Sequence, residues 1–322
     1  MKKSIPFILL IIIYIPCIGQ GCSDAGFCSI SALKAQSKLD TKNRITVASA
    51  IGVGDENVLI VTPSIQYERK INKNWAFQSK LTYNYADGNL GTYSNLGDLY
   101  VTGTYNTFLK NNWNFSILFG TKINTNGANK TTNLGLGLPM LYQSSLGTTD
   151  LITGAVFTKK RWKISIGYQA PISGNNLNTF LPNNWKNIKS ENVEINASNP
   201  KYLDAKNYIP TNQFNRKSDG LLNIGYDFTI SKKMVLQIGL LNIYHFGTDT
   251  YIDPNANNGS TEPIPLIGSD GLTLNGTMAA FYKINKKIQI GFTSGMPFIV
   301  RKIRPDGLTR HFVIAPELVI HF

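Results

Sequence analysis

From Arg44 onward the chain reads as a series of stretches in which apolar and polar residues alternate with a period of two. That period belongs to strands with one greasy and one wet face. In residues 161–172, Trp162, Ile164, Ile166 and Tyr168 share one face, and Lys163, Ser165, Gly167 and Gln169 share the other. A basic turn, Lys159-Lys160-Arg161, leads into this strand. The same unit recurs at Ile71-Asn72-Lys73-Asn74-Trp75, Leu109-Lys110-Asn111-Asn112-Trp113, Ile230-Ser231-Lys232-Lys233-Met234 and Ile284-Asn285-Lys286-Lys287-Ile288. Twelve strands are predicted, at about 44–54, 57–70, 74–86, 97–110, 112–124, 147–158, 161–172, 218–230, 233–247, 271–284, 286–300 and 311–322. Most are far longer than the roughly 5–6 residues usual in soluble sheets. They suit the ~9–11 residues that cross a tilted barrel wall, with the rims added.

The connections also alternate. Those near 71–73, 110–112, 159–161, 231–233 and 284–286 are short, whereas 87–96, 125–146, 173–217, 248–270 and 301–310 are long. Asp55-Glu56 is the one short connection on the long side. Short turns on one rim, long loops on the other and an even strand number predict an all-β fold. It is a transmembrane antiparallel up-and-down β-barrel of about twelve strands, with periplasmic turns and longer outer loops. Alternation alone does not separate this from a soluble sandwich, because a lipid barrel merely inverts the faces, apolar out and polar in. The aromatic residues help to decide. Trp75, Trp113 and Trp162 each open a strand just after a basic turn, at one interface level, and Tyr83, Tyr85, Tyr168, Tyr244 and Phe246 fall at the far ends.

The start of the chain decides further. Met1-Lys2-Lys3 precedes an apolar run from Ile5 to Ile15 and then Cys17-Ile18-Gly19, the layout of a cleaved export signal. The run is too short to span a bilayer as a helix. Residues 1–19 are expected to leave as a signal peptide, cut near Gly19, with 20–43 as an N-terminal periplasmic segment and 44–322 as the barrel. Residues 20–43 are either a loose tail or a plug in the lumen. Loss of Lys2 and Lys3 lowers the formal net charge from +13 to +11. A basic chain raises nucleic acid as a partner. Here the cations lie in turns and loops, no basic helix or nucleic-acid motif is present, and an exported chain meets little nucleic acid. Cys22 and Cys28 remain as an even pair in an oxidising compartment, read as a disulfide.

A Lys or Arg facing lipid near mid-membrane costs ~2–4 kcal/mol. Glu68, Lys80, Asp98, Lys122, Lys163, Asp227 and Glu317 alternate with lipid-facing residues, so they are expected in the lumen, pairing across it. They either hold the barrel together or set the selectivity of transport. All three histidines, His245, His311 and His321, fall in the inward register. His245 near Asp249, or His311 near Asp306, is the place to look for a hydrolase site, but no nucleophile stands in a recognisable motif. No cofactor and no metal site is expected. The apolar run Leu134–Tyr142 either extends the sixth strand or folds over the mouth with an apolar surface exposed. Pro63, Pro171, Pro297 and Pro316 interrupt strands, each marking a bulge or a gap.

Asn95-Leu96-Gly97-Asp98-Leu99-Tyr100-Val101-Thr102-Gly103-Thr104-Tyr105 resembles an element of small outer-membrane transporters. These form the FadL-like group that includes the "meta-pathway of phenol degradation" family. Tyr142–Leu151, and the strand to Gly167-Tyr168-Gln169-Ala170-Pro171, extend the resemblance over roughly residues 45–172. The last strand ends on Phe322 and resembles the signal read by the outer-membrane assembly machinery. The resemblance implies passive uptake of small hydrophobic or aromatic solutes across the outer membrane of a Gram-negative cell, with membrane lipid, the assembly machinery and the solute as partners. It also implies an N-terminal hatch and a kinked wall strand. A structural or surface-interaction barrel, using the Asn-rich loop 173–217, is the alternative. A barrel hydrolase is a third.

Overall fold

The computed structural model describes residues 41–109, 113–186, 188–190, 193–195, 200–256, 259, 261–307 and 311–322. The expected signal peptide, most of the segment 20–43, the Cys22–Cys28 pair and the turn 110–112 lie outside them. Twelve strands close into one antiparallel barrel in which every strand pairs with its sequence neighbour and the last pairs with the first. They are β1 (Asn43–Val53), β2 (Leu59–Lys70), β3 (Trp75–Gly88), β4 (Gly91–Leu109), β5 (Trp113–Ile123), β6 (Thr149–Lys159), β7 (Trp162–Ser173), β8 (Ser218–Thr229), β9 (Met234–Phe246), β10 (Gly271–Lys283), β11 (Ile288–Ile299) and β12 (Val313–His321). The closing seam runs from Arg44 opposite His321 to Gly52 opposite Val313.

Alternation sets the two faces. Ile65, Phe119, Ile166, Ile238 and Ile290 are exposed, while Gln66, Gln78, Lys80, Lys122, Ser165 and Gln237, on the other register, are buried. An exterior that exposes isoleucine and phenylalanine all the way round is stable only in lipid. Trp75 and Trp162 are about half exposed at the short-turn rim. They meet the neighbouring strands' Tyr105 and Tyr226 in tilted and edge-to-face contacts, with ring centroids 5.0 and 4.9 Å apart.

One expected long loop is absent. Residues 87–96 are not a loop, because β3 and β4 continue past the barrel wall and turn tightly through Asn89-Leu90. Gly91, at φ 125°, takes a backbone conformation closed to other residues. The alternation fades above Tyr85, which hides the continuation, but Tyr83 still pairs with Leu96 and Tyr85 with Ser94.

The prolines divide into two kinds. Pro171 and Pro297 sit at register shifts, as bulges. Pro63 and Pro316 flank the β1–β2 pair. Beside Pro63 the β2–β3 ladder skips from Val61–Tyr85 to Ser64–Thr82, and beside Pro316 the β1–β12 ladder skips from Ala48–Glu317 to Ile51–Ile314, with the register unchanged in both. Proline has no N–H to give the ladder, so pairing lapses at both places.

The remaining long connections fold together above the mouth. Val58, Leu90, Leu136, Leu138, Tyr142, Phe180, Trp185 and Tyr208 make one buried cluster, and Ala128, Met140, Leu146, Phe214 and Leu266 a second. The Leu134–Tyr142 run therefore folds over the mouth and does not extend β6. Its expected exposed surface is turned inward, since Leu136, Leu138, Met140 and Tyr142 are all buried.

Candidate functional site

The expected lumen residues form two tiers. Near the short-turn rim, Arg44 of β1 bonds Glu68 of β2, its direct cross-strand partner. Asp227 accepts a bond from Gln237 at 2.6 Å, again its direct partner on the next strand. Lys163 lies within the field of Asp227, and Glu317 lies over Gly291 of the adjacent strand. In the upper tier Lys122 Nζ stands 2.9 Å from Asp150 and 3.6 Å from Asp98. Gln169 donates to Asp150. Lys80 Nζ lies 5.9 Å from the centre of the Tyr100 ring.

Pairing was expected across the lumen; the pairs named here join neighbouring strands along the wall, while Lys163 of β7 also feels the charge of Arg44 on β1, on the opposite side of the barrel. Residues opposite one another on adjacent strands hold their Cβ atoms ~4.5–5.5 Å apart, close enough for a short ion pair. Three members of the set, Lys80, Asp98 and Lys122, line a cavity of about 190 Å³ under the roof. Glu68, Lys163, Asp227 and Glu317 do not line it.

The lumen is not polar all round. Tyr100, Leu118, Ile152, Val156, Leu221 and Leu241 form an apolar cluster on its inner wall, and Tyr100, Leu221 and Leu241 reach the cavity. The sequence carried a signal for this that strict alternation hides. Ile117-Leu118, Leu151-Ile152, Leu221-Leu222 and Leu240-Leu241 are doubled apolar positions, one residue for lipid and one for the lumen.

The roof of the cavity is Met140–Leu146. A short 3-10 turn at Met140–Tyr142 drops this segment into the mouth. Asn84 of β3 donates to the Ser144 carbonyl at 2.7 Å, and Asn176 donates to the Leu146 carbonyl at 2.9 Å. The Tyr142 hydroxyl accepts from the Leu90 N–H at 3.2 Å and meets the Tyr208 hydroxyl at 3.2 Å. Burial pushes both phenols above their ordinary range.

Beside the roof lies a buried ionic cluster in which only His245, Asp249 and Asp306 were anticipated. His245 places Nδ1 2.6 Å from Asp219 and Nε2 2.8 Å from Asp249. Arg216 bonds Asp219 and reaches Asp306 at 3.3 Å, and Arg301 bonds Asp306 at 2.9 Å and the Ser269 carbonyl at 2.7 Å. With both ring nitrogens on carboxylates, His245 donates twice and is an imidazolium. Three cations then balance three carboxylates. For Asp306 burial works against ionisation, but Arg301 and Arg216 overcome it and hold the carboxyl well below its usual range. The expected partnership of His311 with Asp306 is replaced by these arginines, and a doubly donating His245 has no free nitrogen to deprotonate a nucleophile. Among the described residues no set of three His, Cys, Asp or Glu side chains is placed to hold a metal ion.

No family model and no curated relative matches the chain in sequence. Solved structures share its fold. An outer membrane channel from Pseudomonas putida F1 superposes with a TM-score of 0.57 at 11% identity, covering 91% of this chain and 99% of that one. The NanC porin gives 0.45 at 10% identity, covering 86% and 98%, and the KdgM porin in complex with disordered oligogalacturonate gives 0.44 at 8%, covering 87% and 99%. At these identities the likeness concerns the fold alone, and the two porin scores carry no further argument.

Proposed function

We propose that this barrel is a passive channel or transporter of the outer membrane for small neutral solutes, chiefly hydrophobic or aromatic ones. The observation that carries the reading is the roofed cavity with one apolar and one polar wall. Leu221 of β8 and Leu241 of β9 supply the first; Lys80, Asp98, Lys122 and Asn84 of β3–β5, with the Tyr100 ring among them, supply the second. The likeness of fold to an outer membrane channel supports it. At about 190 Å³ the cavity exceeds the roughly 150 Å³ that accepts a benzene ring in an apolar protein interior. The charged residues lining it are Lys80, Lys122, Asp98 and Asp306, so its formal charges cancel, which favours neutral solutes over ions. The outer loops would capture the solute, and residues 20–43 would gate the lumen.

Flux into liposomes tests this. Toluene or benzyl alcohol should enter faster through the full chain than through empty bilayer, and faster again after deletion of residues 20–40. No flux of any apolar solute would sink the reading. A second reading, a sealed barrel that presents its outer loops to a partner, draws on the buried apolar core of the roof. Deleting residues 187–199 should then abolish partner binding and leave permeability unchanged.

A further inference from the structure

The chain's charge is distributed unevenly between the two rims. The four described short turns, residues 69–74, 159–161, 230–233 and 283–287, carry eleven lysines and arginines and no aspartate or glutamate. The outer loops, by contrast, mix both signs, with ion pairs such as Arg304–Asp55 and Arg301–Asp306. The lumen carries more carboxylates than cations. The net positive charge of the barrel therefore resides on the short-turn rim.

Three of these turns are built alike. Ile71, Ile230 and Ile284 each donate from N–H to the carbonyl four residues on, Trp75, Met234 and Ile288, at 2.9–3.0 Å. The residue after each isoleucine caps the turn. Asn72 Oδ1 accepts from Asn74 and Trp75, Ser231 Oγ from Lys233, and Asn285 Oδ1 from Lys287 and Ile288. The three isoleucines continue the lipid-facing register of β2, β8 and β10 by one step and are 59%, 59% and 45% exposed. An exposed isoleucine on the lipid face, followed at once by exposed lysines, puts those ammonium groups at the depth of lipid headgroups. The fourth turn adds an exterior hollow lined by Leu109, Trp113, Phe157 and Ile164, with Lys159 Nζ 5.1 Å from the Trp113 ring centre at its edge.

We infer that the short-turn rim is a binding surface for anionic phospholipid headgroups of the leaflet it faces. The inference rests on the outer-membrane reading above. A basic segment at a bilayer surface attracts anionic lipid within about a Debye length. A soluble acidic partner would need the cations gathered on one side. Here they occur in every described turn around the circumference, each beside an apolar residue that belongs in lipid. The open hollow beside Lys159 is apolar, as contact with an acyl chain requires.

Native mass spectrometry of the full chain tests this. It is released from micelles containing equal phosphatidylglycerol and phosphatidylcholine. Wild type should retain phosphatidylglycerol at least about threefold over phosphatidylcholine. The preference should collapse when salt is raised from 0.1 M to 1 M, as the Debye length falls from about 10 Å to about 3 Å. The variant Lys159→Gln/Lys160→Gln/Arg161→Gln should lower the ratio, and adding Lys286→Gln/Lys287→Gln should bring it near parity. An outer-loop control, Lys201→Gln/Lys206→Gln/Lys302→Gln, should leave it unchanged. Parity in the wild type, an equal drop in the control, or full displacement of lipid by soluble polyglutamate would overturn the inference; the last would point to an acidic macromolecule instead. Insertion into pure phosphatidylcholine vesicles, followed by circular dichroism, is scored in parallel. A chain that fails to insert refutes the membrane reading, whereas one that inserts without lipid preference refutes only this inference.

Discussion

Lys122 is the residue whose loss should cost most. It is 1% exposed and holds two carboxylates, so Lys122→Met leaves Asp98 and Asp150 buried without their cation. The expected destabilisation is about 3–5 kcal/mol, read from urea unfolding in detergent, and much of it should return in the triple variant that adds Asp98→Asn and Asp150→Asn. Asp306 predicts the pH response. Its folded pKa lies below its unfolded value, so its contribution is complete above about pH 4 and is lost as pH falls toward the folded value. Limited proteolysis of the outer loops should therefore accelerate below pH 4 in the wild type. Asp306→Asn should already be cleaved faster at pH 7, with a flatter pH profile. At this scale the sequence showed which charges face inward but not whom they meet. Asp150 and Asp219 stood in plain view at inward positions, yet only the strand register puts Asp150 beside Lys122 and Asp219 beside His245.

The strands were legible because a period of two, sustained over nine or more residues, fits neither a helix nor an irregular loop, and every predicted strand forms. The roof was not, because its order comes from contacts between loops far apart in the chain. Trp185 looks like one aromatic in an Asn-rich loop, yet it is 1% exposed and donates to the Gly137 carbonyl at 3.1 Å. Trp185→Ala should cost the roof about 3–5 kcal/mol and leave the barrel folded. The check is faster loop proteolysis with unchanged heat-modifiable migration on gels. Gly137 makes a second probe. A side chain there would come within 2.6 Å of the Phe180 nitrogen, so Gly137→Val should loosen the same segment.

For the molecule as a whole, roof and wall are separable layers, and conductance should show it. Removing residues 136–146, which cover the cavity, should raise single-channel conductance in planar bilayers severalfold; an unchanged conductance would place the constriction lower in the lumen. The rest of the architecture follows from how the wall is joined. Thr41 and His321 touch across the seam although 280 positions separate them along the polypeptide. A ribosome therefore finishes almost the whole protein before the first strand's outer edge has its mate. Until then eleven residues of β1 offer bare amides and carbonyls to any neighbouring polypeptide. A truncation that removed only β12 would therefore yield not a slightly smaller cylinder but an open sheet prone to clumping.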